Sequence, residues 1–199
     1  GASDAGSREY RPAMRAAVPD LGKMLEVGCG CGSFVDHCVR NGIDAHGVDF
    51  AEFAVTHPEG QAAGRLKKMD ARKLDYPDQS FDTVVAFDLL EHIYEDDSQV
   101  VVSELQRICK TWLFVNVCAQ PTEEGCHSFK KGQVIPRELE VLAVAGHVNL
   151  QSVEWWLKVW GRAGLSVDWE RTNKFREACY PKAENWLPHY LYVIRARPG

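Results

Sequence analysis

Apolar and polar residues follow two different rhythms along the chain, and each rhythm predicts a type of secondary structure. Short unbroken runs of Val, Ile, Leu and Phe that stop at a glycine or a polar residue are typical of strands buried on both faces of a parallel sheet. The predicted strands are Lys23–Val27, Ile43–Val48, Leu66–Met69, Thr83–Phe87, Thr111–Cys118, Leu165–Glu170 and His189–Arg195.

Between these runs, apolar residues recur every three or four positions, which is typical of helices with one buried face. The predicted helices are Ser7–Val18, Ser33–Asn41, Ser98–Lys110 and Asn149–Ala163, with a shorter, irregular one in Ala51–Gly64. Either Asn149 or Ser152 is the N-cap of the last helix. Trp156 and Trp160 fall on an apolar face, so we expect them in the core rather than in a substrate site. Strands that alternate with helices in this way predict parallel βαβ units in a doubly wound α/β fold.

The chain length of 199 residues fits a single domain over 1–199, with residues 1–20 as a leading helix. Residues 119–148 show neither rhythm and are too many for an ordinary connection. This segment leaves a strand at the edge where open parallel sheets bind their ligands. We therefore predict that 119–148 forms a lid over an active site.

Composition and charge argue against several classes of function. The net charge is −5, whereas proteins dedicated to nucleic acids carry a basic surface, so a nucleic-acid partner is disfavoured. Seven cysteines, an odd number without paired zinc-finger spacing, favour a reducing, cytoplasmic setting. No apolar run reaches the ~18–20 residues that cross a bilayer, so we expect no membrane partner.

A glycine turn, Gly28-Cys29-Gly30-Cys31-Gly32, lies where the first predicted strand passes into the next helix. Glycines there permit positive φ angles and let a ligand lie against the backbone. The dinucleotide fingerprint requires G-x-G-x-x-G, but Ser33 occupies its third glycine position. Glu26 precedes the turn, and its carboxylate would suit an ammonium group and oppose a pyrophosphate. The turn therefore departs from the NAD-binding pattern.

Two further carboxylates end the next predicted strands. Asp49 ends the second strand, where a carboxylate can accept hydrogen bonds from both hydroxyls of a ribose. Asp70 follows the third strand. Either aspartate alone could equally be a cap of a strand or turn, but their order after Glu26 and the glycines favours a ligand that contains a nucleoside.

The glycine turn with its preceding acid is similar to the cofactor loop of class I S-adenosylmethionine-dependent methyltransferases. Leu74–Ile93 and His147–Leu165 also resemble the methyltransferase type 11 group. This resemblance implies a Rossmann-like, seven-stranded, mainly parallel sheet with the last strand antiparallel, and S-adenosyl-L-methionine as cofactor. It implies that the Asp70 carboxylate accepts a hydrogen bond from the amino group of the adenine. It further implies that Phe50 lies along the adenine ring and that the Ala71 amide donates to a ring nitrogen. The residues assigned to the cofactor are Glu26, Gly28, Cys29, Gly30, Gly32, Asp49, Phe50, Asp70, Ala71 and Asp88.

His92 follows the fourth predicted strand and is the predicted catalytic residue, a general base for a hydroxyl acceptor. A structural histidine held by neighbouring backbone is the alternative. Asp88, Glu91 and His92 could also share one helical face as metal ligands, with His127 as a fourth. Equally, Asp88 could face the cofactor while Glu91 forms an ion pair, so the presence of a metal stays open.

The sequence does not identify the methyl acceptor. A small-molecule acceptor is the leading hypothesis, because neither an appended recognition domain nor a basic face is visible. A protein or RNA methyltransferase and a non-catalytic S-adenosylmethionine-binding module are the alternatives. Cys118 and Cys126 follow the fifth strand, but a covalent cysteine mechanism would require a nucleic-acid base as acceptor, which the charge disfavours.

Overall fold

The computed structural model describes residues 4–120, 122–124, 126–133, 146–179 and 191–197. Seven strands form one sheet in the order β3-β2-β1-β4-β5-β9-β8, and a separate pair joins β6 to β7. The strands are β1 (Met24–Val27), β2 (Ala45–Asp49), β3 (Leu66–Lys68), β4 (Phe81–Phe87), β5 (Cys109–Asn116), β6 (His127–Ser128), β7 (Asn149–Leu150), β8 (Ser166–Val167) and β9 (Leu191–Arg195).

The strand directions confirm the predicted topology. β1 to β5 run parallel to one another, and β9 runs antiparallel to both of its neighbours, β5 and β8. The central strands β1 and β4 are buried along nearly their whole length, as unbroken apolar runs predict. The seven-stranded sheet with an antiparallel last strand is therefore confirmed.

Helices cover both faces of this sheet. α4 and α5 pack on one face, where Trp156 and Trp160 are fully buried, so their predicted place in the core is confirmed. α1, α2 and α6 pack on the other face. The helices are α1 (Asp4–Ala17), α2 (Ser33–Arg40), α3 (Glu52–Thr56), α4 (Glu95–Ile108), α5 (Val153–Arg162) and α6 (Trp169–Cys179), with short 3-10 turns at Gly60–Ala62 and Leu90–His92.

Of the two N-caps predicted for the helix in Asn149–Ala163, the structure confirms Ser152 and not Asn149. Asn149 and Leu150 instead form β7, and the buried Asn149 side chain donates to Ser98 Oγ at 2.9 Å. The helix starts after Ser152, whose Oγ accepts a hydrogen bond from Trp155 N at 3.1 Å. Ser152 is thus the N-cap, because its hydroxyl satisfies a backbone N–H that the first turn leaves open.

The predicted strand Leu165–Glu170 is also too long, since only Ser166–Val167 is extended. Asp168 ends it by accepting a hydrogen bond from Arg171 N at 3.0 Å, and α6 follows. The sequence did not predict α6, because its buried face rests on Thr172, Phe175 and Cys179 among charged residues. Three buried positions in three turns give a weak periodic signal.

The segment predicted as a lid is described only in part. Its first half is attached to the domain through β6, which pairs with β7, and through Phe129 N, which donates to Val148 O at 2.8 Å. Residues 134–145 lie outside the described residues, so the lid stays a prediction. Within the described ranges no helix is long and apolar enough to cross a membrane.

Candidate active site

A cavity of about 400 Å³ opens at the carboxyl ends of β1 to β4. β1 and β4 are the neighbours between which the strand order reverses, and open α/β sheets bind ligands at this point. The walls of the cavity are formed by the segments that follow β1, β2, β3 and β4. The lining residues are Val27, Gly28, Val48, Asp49, Phe50, Met69, Asp70, Ala71, Arg72, Leu89, His92, Ile93, Tyr94, Asp97 and Lys131.

The structure brings half of the predicted cofactor residues to this cavity together with His92. Those that line it are Gly28, Asp49, Phe50, Asp70 and Ala71. The other half is not part of the cavity lining: Glu26, Cys29, Gly30, Gly32 and Asp88. Their assignment to the cofactor stays a prediction.

Asp49 connects the first two walls. Its Oδ2 accepts a hydrogen bond from Gly30 N and its Oδ1 accepts one from Ala51 N, both at 2.8 Å. These two contacts fix the glycine turn against the end of β2. A carboxylate has about four acceptor positions, so Asp49 retains capacity for two ligand hydroxyls.

The three glycines of the turn have different roles. At Gly32 a Cβ would lie 2.8 Å from Ala62 Cβ, so glycine there permits close packing behind the turn. At Gly28 it would lie 3.0 Å from Leu89 Cδ1. At Gly30, with φ of +54°, nothing described lies within 4 Å of that position. The backbone at Gly30 is therefore open to a ligand.

Glu26 is buried below the turn. Burial, followed by the charges of Asp49 and Asp88, raises its pKa from 4.5 to about 8. Among the described residues its Oε2 has no hydrogen-bond partner, although it is shielded from solvent. A buried carboxyl oxygen without a partner costs free energy, and a bound donor would offset that cost.

This burial predicts a stability that falls as the pH rises. Folded Glu26 keeps its proton up to about pH 8, whereas the unfolded chain releases it near pH 4.5, so folding is opposed progressively between these values. We expect Glu26→Gln to gain stability over the wild type across this window, by on the order of a few kcal/mol. Urea unfolding at pH 5 and pH 8 measures it.

The matched control is Glu52→Gln, which makes the same change at an exposed position. Its stability difference from the wild type should not grow towards pH 8. Glu91 is buried in the same way, with a pKa raised to about 7, so the double variant Glu26→Gln/Glu91→Gln should flatten the profile further. A constant difference between Glu26→Gln and the wild type would contradict the assignment.

Asp70 reaches the cavity wall, but its carboxylate is already occupied. Arg72 donates to both Asp70 oxygens, the shortest contact being 2.6 Å, and also donates to Asp97 Oδ2 at 3.0 Å. The side-chain hydrogen bonds from Arg72 lower the pKa of Asp70 below its usual value. The wall therefore carries an Asp70–Arg72–Asp97 chain in which Asp70 has little remaining acceptor capacity.

His92 ends the 3-10 turn after β4 and is held on its outer side by the segment that precedes β7. Its Nδ1 is 2.8 Å from the carbonyl oxygen of Gly146. A carbonyl can only accept, so Nδ1 carries the proton and the neutral ring keeps its lone pair at Nε2. His147 packs edge-on against the His92 ring, with centroids 5.1 Å apart.

Glu91 and Asp88 face protein groups. Glu91 Oε1 accepts from Cys118 N at 3.1 Å, and Asp88 Oδ1 accepts from Asn116 Nδ2 at 2.7 Å. Within the described ranges, no three His, Cys, Asp or Glu side chains are grouped to hold a metal ion. The ion pair that the sequence offered as the alternative for Glu91 is replaced by this contact with the backbone.

Several lining residues escaped the sequence analysis. Arg72, Tyr94 and Asp97 carry polar groups to the cavity, but each stands alone in a stretch without a motif. Asp97 lies in the first turn of α4, where an acidic residue is expected for the helix dipole. Only the fold shows that these side chains meet.

The strand order and the cavity beside the glycine turn define the class I methyltransferase fold. Residues 25–112, less than half of the chain, match a family model described as a methyltransferase domain. A phosphatidylethanolamine N-methyltransferase from Cereibacter sphaeroides is 36% identical over 96 residues. That match covers 45% of this chain and 46% of the relative, so the chain spans less than half the length of the curated relative it matches.

Solved structures share the fold at low sequence identity. An amino pentose methyltransferase from Micromonospora echinaspora, bound to S-adenosylmethionine, has a TM-score of 0.67 and 18% identity, covering 98% of this chain and 92% of that one. A magnesium protoporphyrin IX methyltransferase from Synechocystis PCC 6803, solved with bound SAH, has a TM-score of 0.61 and 16% identity, covering 96% and 83%. The resemblance to class I S-adenosylmethionine-dependent methyltransferases is thereby confirmed: residues 25–112 match the methyltransferase domain model, and the solved structures share the fold.

Proposed function

We propose that the protein transfers the methyl group of S-adenosylmethionine to a small-molecule acceptor. The observation that carries this proposal is one cavity of about 400 Å³ that joins Asp49, Phe50 and Asp70 to His92. Its volume lies in the range of small-ligand sites, roughly 300–1,000 Å³. Methyl transfer to a hydroxyl requires residues that bind the nucleoside of the cofactor and a residue that accepts the proton of the acceptor, and both kinds of residue meet in this cavity.

The residues present fit this cofactor. Glu26 has a buried carboxyl oxygen without a described hydrogen-bond partner. The ammonium group of the cofactor would donate to this oxygen directly or through a water. Gly30 leaves its backbone open, and Phe50, with 70% of its surface exposed, offers a ring face to an adenine. Asp49 retains acceptor positions for the ribose hydroxyls.

His92 would act as the general base. When bound, S-adenosylmethionine supplies an electrophilic methyl carbon whose bond electrons pass to sulfur as the acceptor's lone pair attacks. A hydroxyl acceptor loses its proton in this step, and His92 Nε2 takes it. The contact with Gly146 keeps the lone pair on that nitrogen. The base and the cavity walls together align the acceptor, and such alignment provides much of enzymatic rate enhancement.

This site should prefer S-adenosylmethionine and its demethylated product over NAD. An ammonium group beside the buried Glu26 would favour its ionised form, whereas a pyrophosphate would keep it protonated and gain no charge interaction from it. In addition, Ser33 replaces the third dinucleotide glycine. We expect the affinity to differ by at least about tenfold, or ~1.4 kcal/mol. Calorimetric titration of each ligand measures it, and tighter binding of NAD would remove the proposed cofactor.

Transfer itself is tested with S-adenosylmethionine carrying a labelled methyl group and a panel of small hydroxyl, amine and carbon acceptors. Label in an acceptor supports the proposal. Because one fold can host several activities, binding of the cofactor alone does not establish methyl transfer. Label found only in protein or RNA would favour that alternative, and cofactor binding without transfer would favour a binding module.

A lipid amine is a second candidate acceptor. The relative named for phosphatidylethanolamine suggests it, and the cavity offers Lys131 to a lipid phosphate. Phe50, which lines the cavity, is 70% exposed, and Phe53, three residues further on, is 68% exposed. Aromatic side chains are favoured at membrane interfaces. Methylation of phosphatidylethanolamine in vesicles but not of free phosphoethanolamine would select this candidate over a soluble acceptor.

A further inference from the structure

Gly146 lies far from the glycine turn in the sequence, directly before the segment His147–Leu165, yet it makes the closest described polar contact with His92. Its carbonyl oxygen is 2.8 Å from His92 Nδ1. The contact is supported on both sides, because Val148 N donates to Glu91 O at 2.9 Å and His147 packs edge-on against the His92 ring. Residues 146–148 are thus attached to the turn that carries His92.

The absence of a side chain at Gly146 is a second, independent feature. A Cβ at this position would lie 3.0 Å from His92 Nδ1 and 3.4 Å from Cε1. Ordinary contacts to a carbon atom lie at about 3.5–4.0 Å, so the ring or the backbone would have to move. The φ of Gly146 is +75°, where side chains are disfavoured in any case.

We propose that Gly146 is the positioning residue for His92. Its carbonyl selects the imidazole tautomer that leaves Nε2 free to accept a proton, and its lack of a side chain leaves room for the ring in that orientation. The catalytic part of this inference rests on the proposed function. The structural part, the tautomer of His92, can be measured without any ligand.

The first measurement concerns the wild-type protein alone. Nitrogen-15 NMR of the histidine rings at pH 8 distinguishes the two neutral tautomers, and His92→Asn identifies the His92 signals by their loss. We expect a protonated Nδ1 and an unprotonated Nε2. A proton on Nε2 would overturn the inference, whatever the enzyme's activity.

The second measurement compares Gly146→Ala with Gly164→Ala. Gly164 has a φ of +74°, and a Cβ there meets nothing described within 4 Å, so it matches the backbone strain without the contact. We expect Gly146→Ala to mix the two tautomers of His92 and to lower kcat by at least about tenfold while leaving KM for the cofactor within twofold. Gly164→Ala should leave both unchanged.

The outcomes separate this inference from the proposed function. An unchanged tautomer and kcat in Gly146→Ala, in a protein where His92→Asn is inactive, would overturn the inference alone. Full activity of His92→Asn would instead remove the proposed base, while the tautomer measurement still decides whether Gly146 orients the ring. Equal losses of kcat in Gly146→Ala and Gly164→Ala would assign the effect to backbone strain and also overturn the inference.

Discussion

Replacing His92 by asparagine should lower kcat by about 10²–10⁴-fold with a hydroxyl acceptor and leave the affinity for S-adenosylmethionine nearly unchanged. The asparagine Nδ2 can donate to Gly146 O in place of the ring Nδ1–H, so the attachment of residues 146–148 is retained. Only the lone pair of Nε2 is lost. General-base catalysis contributes in this range, and the loss should appear equally in kcat and kcat/KM for the acceptor.

A matched control is His46→Asn. His46 lies in β2 and pairs with Asp44 at 3.2 Å, and it is not among the cavity's lining residues. Its replacement should leave turnover unchanged. Full activity of His92→Asn would return His92 to the role of a structural histidine, and weakened cofactor binding in that variant would show that the residue acts on the cofactor instead.

Replacing Asp49 by alanine should weaken cofactor binding by about 1–3 kcal/mol, which is roughly 5–150-fold in Kd. Two effects add in the same direction. The ribose hydroxyls lose their acceptor, and Gly30 N and Ala51 N lose theirs, so the turn that carries the cofactor loses its attachment to β2. Calorimetry with S-adenosylmethionine and with its demethylated product gives both constants.

Two variants separate these effects from a general loss of structure. Asp49→Asn keeps one side-chain acceptor and should weaken binding less than alanine. Asp44→Ala removes an ion pair with Arg65 near the opposite end of β2, away from the cavity, and should not change the Kd. If Asp49→Ala binds the cofactor as the wild type does, Asp49 has no place in the site.

The parts of the site that could be predicted from the sequence are local. A glycine turn directly after a strand, with Asp49 at the end of the next strand, is a signal within about 25 residues of chain. The physical demand is local too, because bare backbone can be provided only by glycine, which also adopts positive φ angles without a steric cost. The structure accordingly places Asp49 at the cavity, bonded to the turn.

The parts that could not be predicted depend on distant partners. The hydrogen bond from Arg72 to Asp97, which extends the Asp70–Arg72 pair along the cavity wall, joins residues 25 positions apart. Likewise, the contact of Gly146 with His92 joins residues 54 positions apart. α6 was missed for a related reason, since Phe175 is buried by α1 and β5 rather than by an apolar pattern of its own.

The position of β9 between β5 and β8 has a consequence for synthesis of the protein on the ribosome. β1 to β5 form one side of the sheet, and β9 joins this block only along β5, so the block can assemble once residue 116 has emerged. β8 has β9 as its sole neighbour in the sheet and is made more than twenty residues earlier. During that interval β5 exposes an open edge, which is a site for mispairing with other chains. The final closure of the sheet is therefore a late, non-local event, and contacts of this kind slow folding.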